Sequence, residues 1–334
     1  MPQLGWYYRL SSFFKEKFGE RIYKIPLDAG LTCPNRDGTV SREGCIYCYN
    51  PSFSPGALER EKNKEESRSI TSQILSFQLK KEKKKAYQPQ GGEAGEVSPE
   101  KFSPQYKYLA YFQSFSNTYG PPSYLQKLYE EALFTPGVTG LSIATRPDCL
   151  DDEVLKVLEN YARDYHIWLE LGLQSVHDRT LKLINRGHDF ACFETAVKRS
   201  AEKGIYTCAH IINGLPGENF NDMLETVKVI NQLPLNGIKF HQLQVIKHTK
   251  LHDMYLKGKV QLLEKDEYLD ILCDQLEHLR SDIVVHRLLS EAADADLLVA
   301  PFWHWNRASF AQQVEKELSK RGSCQGKESL SMHF

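Results

Sequence analysis

The sequence predicts an α/β fold: a partial (β/α)6 barrel with an N-terminal helix and a C-terminal helical extension. Three observations lead there. From Tyr106 onward, short and nearly continuous apolar runs alternate with stretches whose apolar residues recur at helical spacing. Runs that are apolar on both faces belong to parallel strands covered by helices on each side. The length of 334 residues suits one elaborated barrel, an architecture that carries such a chain as a single domain.

The elements follow in order. Trp6, Leu10, Phe13, Phe14 and Phe18 share a helical face that stops at Gly19, so the first helix falls within residues 1–20. Ile22 to Leu27 reads as a short strand. The loop that follows, DAGLTCPNRDGTVSREGCIYCYNPSFSPG, is rich in Gly, Pro, Asn and Asp. Loops of that length are uncommon unless functional. Residues 59–85 are charged and helical in pattern. Residues 86–104 are rich in Gly, Pro and Glu and read as a surface insertion, set at about 83–104 within a core of 21–300. Then KYLAYF, VTGLSIA, HIWLELGL, IYTCAHII and GIKFHQLQVI read as strands, each followed by an amphipathic helix, the last over Asp266 to Leu279. With the first strand, this makes six βα units. Residues 301–334 form the extension, with a frayed tail expected from Ser319.

Charge and cysteine content narrow the function. Lys and Arg number 42 and Asp and Glu 43, so bulk attraction to nucleic acid or membrane is not how this chain works. The balance is uneven: residues 1–85 carry a net +6 and the remainder a net -7. Solvated helix faces account for that most simply. No run of about 18 apolar residues is present. Arg9, Lys15 and Lys17 stand where a signal peptide needs an apolar stretch, so a cytoplasmic location is expected. In that reducing compartment, eight cysteines point to thiols or metal ligands rather than disulfides.

Three of the eight, Cys33, Cys45 and Cys48, fall in the long loop with spacing C-x11-C-x2-C. Cys149, Cys192, Cys208, Cys273 and Cys324 share no motif and are expected to be structural. The close pair and the longer arm can serve one centre. A [4Fe-4S] cluster with three thiolates leaves one iron for a non-protein ligand. Zinc would need a fourth protein ligand, and the nearest later histidine is His166. A redox CxxC pair would not use Cys33. In a barrel, the loop after strand one lies at the catalytic face.

The triple resembles the cluster loop of radical S-adenosylmethionine (SAM) enzymes, with Tyr47 as the aromatic of C-x-Φ-C and a longer first arm than the shortest family form. ATRPDCL (Ala144 to Leu150), ELGLQS (Glu170 to Ser175), NRGHD (Asn185 to Asp189) and HIINGLPGE (His210 to Glu218) resemble, in order, segments of the radical SAM domain of the Elongator catalytic subunit. The likeness covers roughly residues 20–250. It is nearest to a short, stand-alone bacterial family without the acetyltransferase domain. The barrel is then expected to be of the TIM-like radical SAM type.

The resemblance implies a [4Fe-4S] cluster on Cys33, Cys45 and Cys48, SAM chelated to the fourth iron, and a 5′-deoxyadenosyl radical that abstracts hydrogen. It implies SAM contacts from Tyr47, Gln113, Ser116, Asn117, Thr145, Glu170, Gln174, Arg186 and Ile212. Each has a plainer reading. Tyr47 can be a core aromatic. Gln113, Ser116 and Asn117 can cap a polar turn. Thr145 can start a loop beside a surface Arg146. Glu170, a carboxylate in an apolar strand, contacts the SAM ribose or belongs to a structural pair. Arg186 binds the SAM carboxylate or sits at a helix end. His210 reads as a core histidine. His241, Gln242, Gln244 and the run Phe302-Trp303-His304-Trp305 are candidates for substrate recognition, although such aromatics more often pack.

A reductant such as flavodoxin or ferredoxin is implied. The resemblance also points to transfer RNA and a wobble uridine, with a small metabolite as the other substrate class. A non-enzymatic zinc protein would explain the cysteines and leave ELGLQS and NRGHD without a role.

Overall fold

The computed structural model describes residues 5–52, 54, 56–58, 69–86, 104–292 and 294–329. Seven strands form one parallel sheet: β1 (Ile22–Leu27), β2 (Lys107–Phe112), β3 (Val138–Thr145), β4 (His166–Gln174), β5 (Tyr206–Asn213), β6 (Gly237–Gln242) and β8 (Val284–Arg287). They lie in the order β1-β2-β3-β4-β5-β6-β8, every neighbouring pair parallel. The sheet curls into the expected partial barrel.

Its helices are α1 (Leu10–Phe18), the one-turn α2 (Pro34–Asp37), α3 (Ile70–Ala86), α4 (Pro122–Leu133), α5 (Asp152–Ala162), α6 (Asp178–Leu183), α7 (Phe190–Glu202), α8 (Phe220–Ile230), α9 (Lys250–Leu256), α10 (Lys265–His278) and α11 (Arg307–Lys320). Caps fix several of them. The Asp151 carboxylate accepts from Val154 N at 2.8 Å, and Asn219 and Asp222 form a capping box on α8. Buried Val154, Leu155 and Leu158 face the sheet from α5. On β4, Trp168, Leu169, Leu171 and Leu173 are fully buried, each worth about 1.5–3 kcal/mol relative to exposure.

The structure corrects the expected elements in four places. A seventh parallel strand, β8, completes the sheet; at four residues, half of them His and Arg, it has no apolar run to announce it. The expected sixth strand is broken after Gln242. There the Gln242 amide bonds both the N–H and the C=O of Ser290. Val245–Ile246 (β7) leaves the sheet and pairs antiparallel with β9 (Leu298–Ala300). The first helix begins at Leu10 rather than Trp6, because the segment before it runs along the edge of β8: Val285 N donates to Tyr8 O at 2.7 Å. The tail is packed rather than frayed as far as residue 329. Gln325 accepts from Tyr8 N at 2.8 Å and donates to Arg280 O and Ile283 O. Of the expected surface insertion, residues 87–103 lie outside the described residues, as do 59–68 of the charged stretch.

α1 closes the barrel from below. Phe13 packs edge-on against Trp168 and Tyr206, at centroid distances of 5.6 and 5.9 Å, and against His166 at 5.4 Å. Those partners stand at the starts of β4 and β5. The opposite, C-terminal ends of the strands are therefore left to form a site.

Candidate functional site

The strand C-termini open into a cavity of about 520 Å³. The loop after β1 enters it. Cys33 is the N-cap of α2, with Pro34 at the first helical position, where its missing N–H costs nothing. Cys48 N donates to Cys45 O at 3.0 Å, which folds the C-x-x-C turn. The buried Ile46 between them anchors the loop: its N–H donates to Ile184 O and its C=O accepts from Leu251 N. Cys33, Cys45 and Cys48 all line this one cavity.

Donors surround the sulfurs. Arg186 Nη1 lies 3.6 Å from Cys45 Sγ, Asn35 Nδ2 3.5 Å from the same sulfur, and Asn50 Nδ2 3.8 Å from Cys48 Sγ. The Arg36 guanidinium donates to the Cys48 carbonyl. Burial opposes ionisation of Cys45, but the charges of Arg186 and Arg146 outweigh it and lower its pKa. Burial pushes Cys48 up to about 11 against the pull of Arg36.

The donor set suits an iron–sulfur cluster. A single zinc at 2.3 Å from each thiolate holds its sulfurs roughly 3.8 Å apart. Among the described residues, the three cysteine sulfurs do not lie within 4.8 Å of one another. A cluster places each thiolate on its own iron, and N–H···S donors and nearby cations tune it.

Most of the expected SAM contacts meet the same cavity: Tyr47, Gln113, Ser116, Thr145, Gln174, Arg186 and Ile212 line it. Burial, followed by the Cys45 thiolate beside it, raises the Tyr47 phenol well above its ordinary range. Ser116 Oγ is buried and has no partner among the described residues, so it is available to a ligand. Thr145 Oγ1 is bonded to Thr118 Oγ1 at 2.6 Å. Gln174 ends β4 with φ at 80°, just after the register between β4 and β5 shifts. Gly172 lets Arg186 approach: a Cβ there would stand 2.5 Å from Arg186 Nη2.

Two expected contacts are corrected. Asn117 does not line the cavity. Its N–H and its Nδ2 both donate to Ala144 O, and its carbonyl accepts from Tyr129 at 2.6 Å. It caps the turn after β2. Glu170 lines the cavity floor, but both its oxygens are taken. Oε1 accepts from Lys24 and from Ser142 at 2.6 Å; Oε2 accepts from Lys239 and faces His210 Nε2 at 3.1 Å. The carboxylate belongs to a buried ionic network that engages both of its oxygens. Burial works to raise its pKa, and Lys239 and Lys24 overcome that to hold it well below the carboxylate range.

The structure also places the remaining candidates. Arg186 is buried rather than at a helix surface, and its Nη2 donates to Gly172 O at 2.7 Å. Arg146 is also buried, forked onto Asp148 and donating to Arg186 O at 2.8 Å. His210, expected in the core, is half-buried, lines the cavity beside Glu170, and is lowered by burial to about 4, which keeps it neutral. Of the aromatic run, Trp303 and Trp305 pack on Tyr268 and Phe310, while Phe302 is exposed. His241, Gln242 and Gln244 do line the cavity.

Sequence reasoning missed Lys24, Tyr111, Lys239, His286, Arg287 and Arg307. Lys24 and Lys239 carried a readable signal: each interrupts an apolar parallel strand, as Glu170 does. Opposite charges buried in one sheet must find each other.

Comparison with known proteins agrees with this geometry. Residues 35–230 match the radical SAM superfamily, and residues 235–320 match the radical SAM C-terminal domain. The uncharacterized protein YtqA of Bacillus subtilis is 39% identical over 96% of this chain and 92% of its own. A tRNA uridine(34) acetyltransferase of Methanocaldococcus infernus is 28% identical over 40% of this chain and 25% of its own. In structure, the chain is similar to the archaeal Elp3 of Methanocaldococcus infernus with an N-terminal deletion, at a TM-score of 0.63 and 16% identity. That likeness covers 91% of this chain and 64% of the archaeal one.

The barrel and cysteine loop define a class, the enzymes that cleave SAM reductively at an iron–sulfur cluster. This chain belongs to the radical SAM superfamily. When bound, the [4Fe-4S] cluster and SAM supply one-electron cleavage of the sulfonium and hydrogen abstraction from substrate. The chain's own residues position and shield that chemistry. Cys33, Cys45 and Cys48 would hold the cluster, Arg186 and Arg146 would offset its negative charge, and the closed barrel floor would exclude water. Members of the class take their electron from an external reductant. No helix among the described residues is long and apolar enough to cross a membrane.

Proposed function

We propose that this enzyme modifies transfer RNA, with a wobble uridine as the target, in the cytoplasm. The observation that carries the reading is the sequence match to an archaeal tRNA uridine(34) acetyltransferase, alongside the barrel fold shared with archaeal Elp3. The basic balance of residues 1–85, which include the cysteine loop, supports contact with phosphates. In this reading Cys33, Cys45 and Cys48 hold the cluster. Tyr47, Gln113, Ser116, Thr145, Gln174, Arg186 and Ile212 surround SAM. A flavodoxin or ferredoxin delivers the electron.

The test uses anaerobically reconstituted holoenzyme, SAM, a reductant and total tRNA from a strain lacking the gene. The expected result is a changed uridine-derived nucleoside, formed in step with 5′-deoxyadenosine. If tRNA leaves 5′-deoxyadenosine formation unchanged while a small-metabolite fraction stimulates it, the small-metabolite reading replaces this one.

A further inference from the structure

The positive charges on the cavity wall are not all matched. At the cysteine end each guanidinium is engaged: Arg36 on the Cys48 carbonyl, Arg146 on Asp148, and Arg186 on Gly172 O and Cys45. On the floor, Glu170 holds both Lys24 and Lys239. The remaining wall is built from the end of β8 and the start of α11. There Arg307 pairs with Glu291, Nε to Oε2 at 3.0 Å. Arg287 is half-buried, lines the same cavity, and has no hydrogen-bond or ion-pair partner among the described residues.

A half-buried guanidinium among other cations is costly unless something answers its charge. Its neighbours register that charge. Burial is the larger cause in each case, and repulsion from Arg287 adds to the lowered pKa of His241, His210, Lys239 and Arg307. Another cavity-lining group, His241, has a buried ring nitrogen, Nε2, without a partner among the described residues. A neutral imidazole can offer an N–H there.

We propose that this wall is an anion subsite for the substrate, where Arg287, flanked by Arg307 and His241, holds a carboxylate or a phosphate. Arginine suits both, because its planar fork meets two oxygens at once. The ligand is assigned to the substrate rather than to SAM because the cysteines and the expected SAM contacts come from β1 to β5 and the loops after them. Arg287 and Arg307 come from β8 and α11. The subsite itself stands on the chain's own charges; its source in RNA rests on the function proposed above. That source is either a backbone phosphate or an acidic substituent on the base.

The test compares reconstituted wild type with Arg287→Gln and Arg287→Lys. Acetate or inorganic phosphate at millimolar concentration is expected to raise the thermal midpoint of wild type and of Arg287→Lys, but not of Arg287→Gln. Equal shifts in all three overturn the subsite. SAM affinity is expected to be the same in Arg287→Gln as in wild type, and a tenfold loss would reassign the anion to SAM and overturn the substrate assignment. With tRNA, Arg287→Gln is expected to bind about tenfold more weakly, as for loss of one charge-assisted contact. A loss shared by deletion-strain tRNA and an unmodified transcript, and shrinking with added salt, identifies a backbone phosphate. A loss confined to deletion-strain tRNA identifies the base. If wild type binds neither RNA, the tRNA reading fails, and the acetate and phosphate result still decides the subsite.

Discussion

Arg186 grips Cys45 directly: one arm of its guanidinium lies 3.6 Å from the cysteine sulfur while another donates to the Gly172 carbonyl. The contact places a fixed positive charge beside a proposed cluster ligand. A reduced cluster carries more negative charge than an oxidised one, so the arginine favours reduction.

Replacing Arg186 by Gln should therefore lower the cluster midpoint potential. A charge-assisted hydrogen bond is worth about 1.5–3 kcal/mol, and roughly 1.4 kcal/mol corresponds to about 59 mV for one electron. A drop on the order of 60 mV or more is expected in an EPR-monitored titration. An unchanged potential with iron content intact would separate Arg186 from the cluster.

Alanine at Cys33, Cys45 or Cys48 should each abolish stable iron loading and the cluster's visible absorption. Alanine at the fully buried Cys208 should leave both in place, because that thiol lies outside the cavity lining. Iron and sulfide analysis after anaerobic reconstitution checks this, and zinc recovered in place of iron would contradict the cluster.

Glu170→Gln should act on stability before it acts on SAM. Removing one member of a buried ion pair costs about 3–5 kcal/mol, and here Lys24 and Lys239 would both lose their counter-charge. Denaturant unfolding should show that loss, with SAM affinity nearly unchanged. A large fall in SAM affinity at unaltered stability would restore a ribose contact.

Acid should destabilise the fold earlier than its carboxylates alone would. Burial first, helped by nearby lysines, lowers His166 and His286 to about 3; burial and Lys239 lower His210 to about 4. The unfolded chain takes up these protons near pH 6.5, and the folded chain resists them until much lower pH. The stability gained by keeping them neutral is thus complete above pH 6.5 and is lost as the pH falls toward 3. Each imidazole contributes up to about 1.4 kcal/mol per pH unit in that window. Unfolding measured at pH 7 and pH 5 should show the drop, and His286→Phe should reduce it. Equal stability at the two pH values would refute this account.

The barrel and the cysteine triple were legible because both are local patterns. Apolar periodicity announces a strand, and C-x-x-C announces a turn. What stayed hidden depends on which strands become neighbours. Glu170 looks free in ELGLQS; only the pairing of β4 with β3 and β5 brings Ser142 and His210 to it. Asn117 looks like a ligand-binding residue until the carbonyl of Ala144 arrives from the next strand. β8 was missed because Val284–Arg287 is too short for a period, and with it went Arg287. The packed tail was missed because one glutamine, Gln325, fixes it through contacts remote in sequence.

α1 has a consequence for chemistry at the far end of the barrel. Phe13 and Phe14 act as a stopper beneath Trp168, against which His286 packs edge-on at 4.4 Å while facing Glu170. The low basicity of these imidazoles depends on dryness, and dryness depends on that stopper. A leak at Phe13 would let water climb through the floor, return the histidines to ordinary basicity and screen Glu170 from its lysines. A helix that never reaches the cavity thereby sets the proton inventory of the chamber above it.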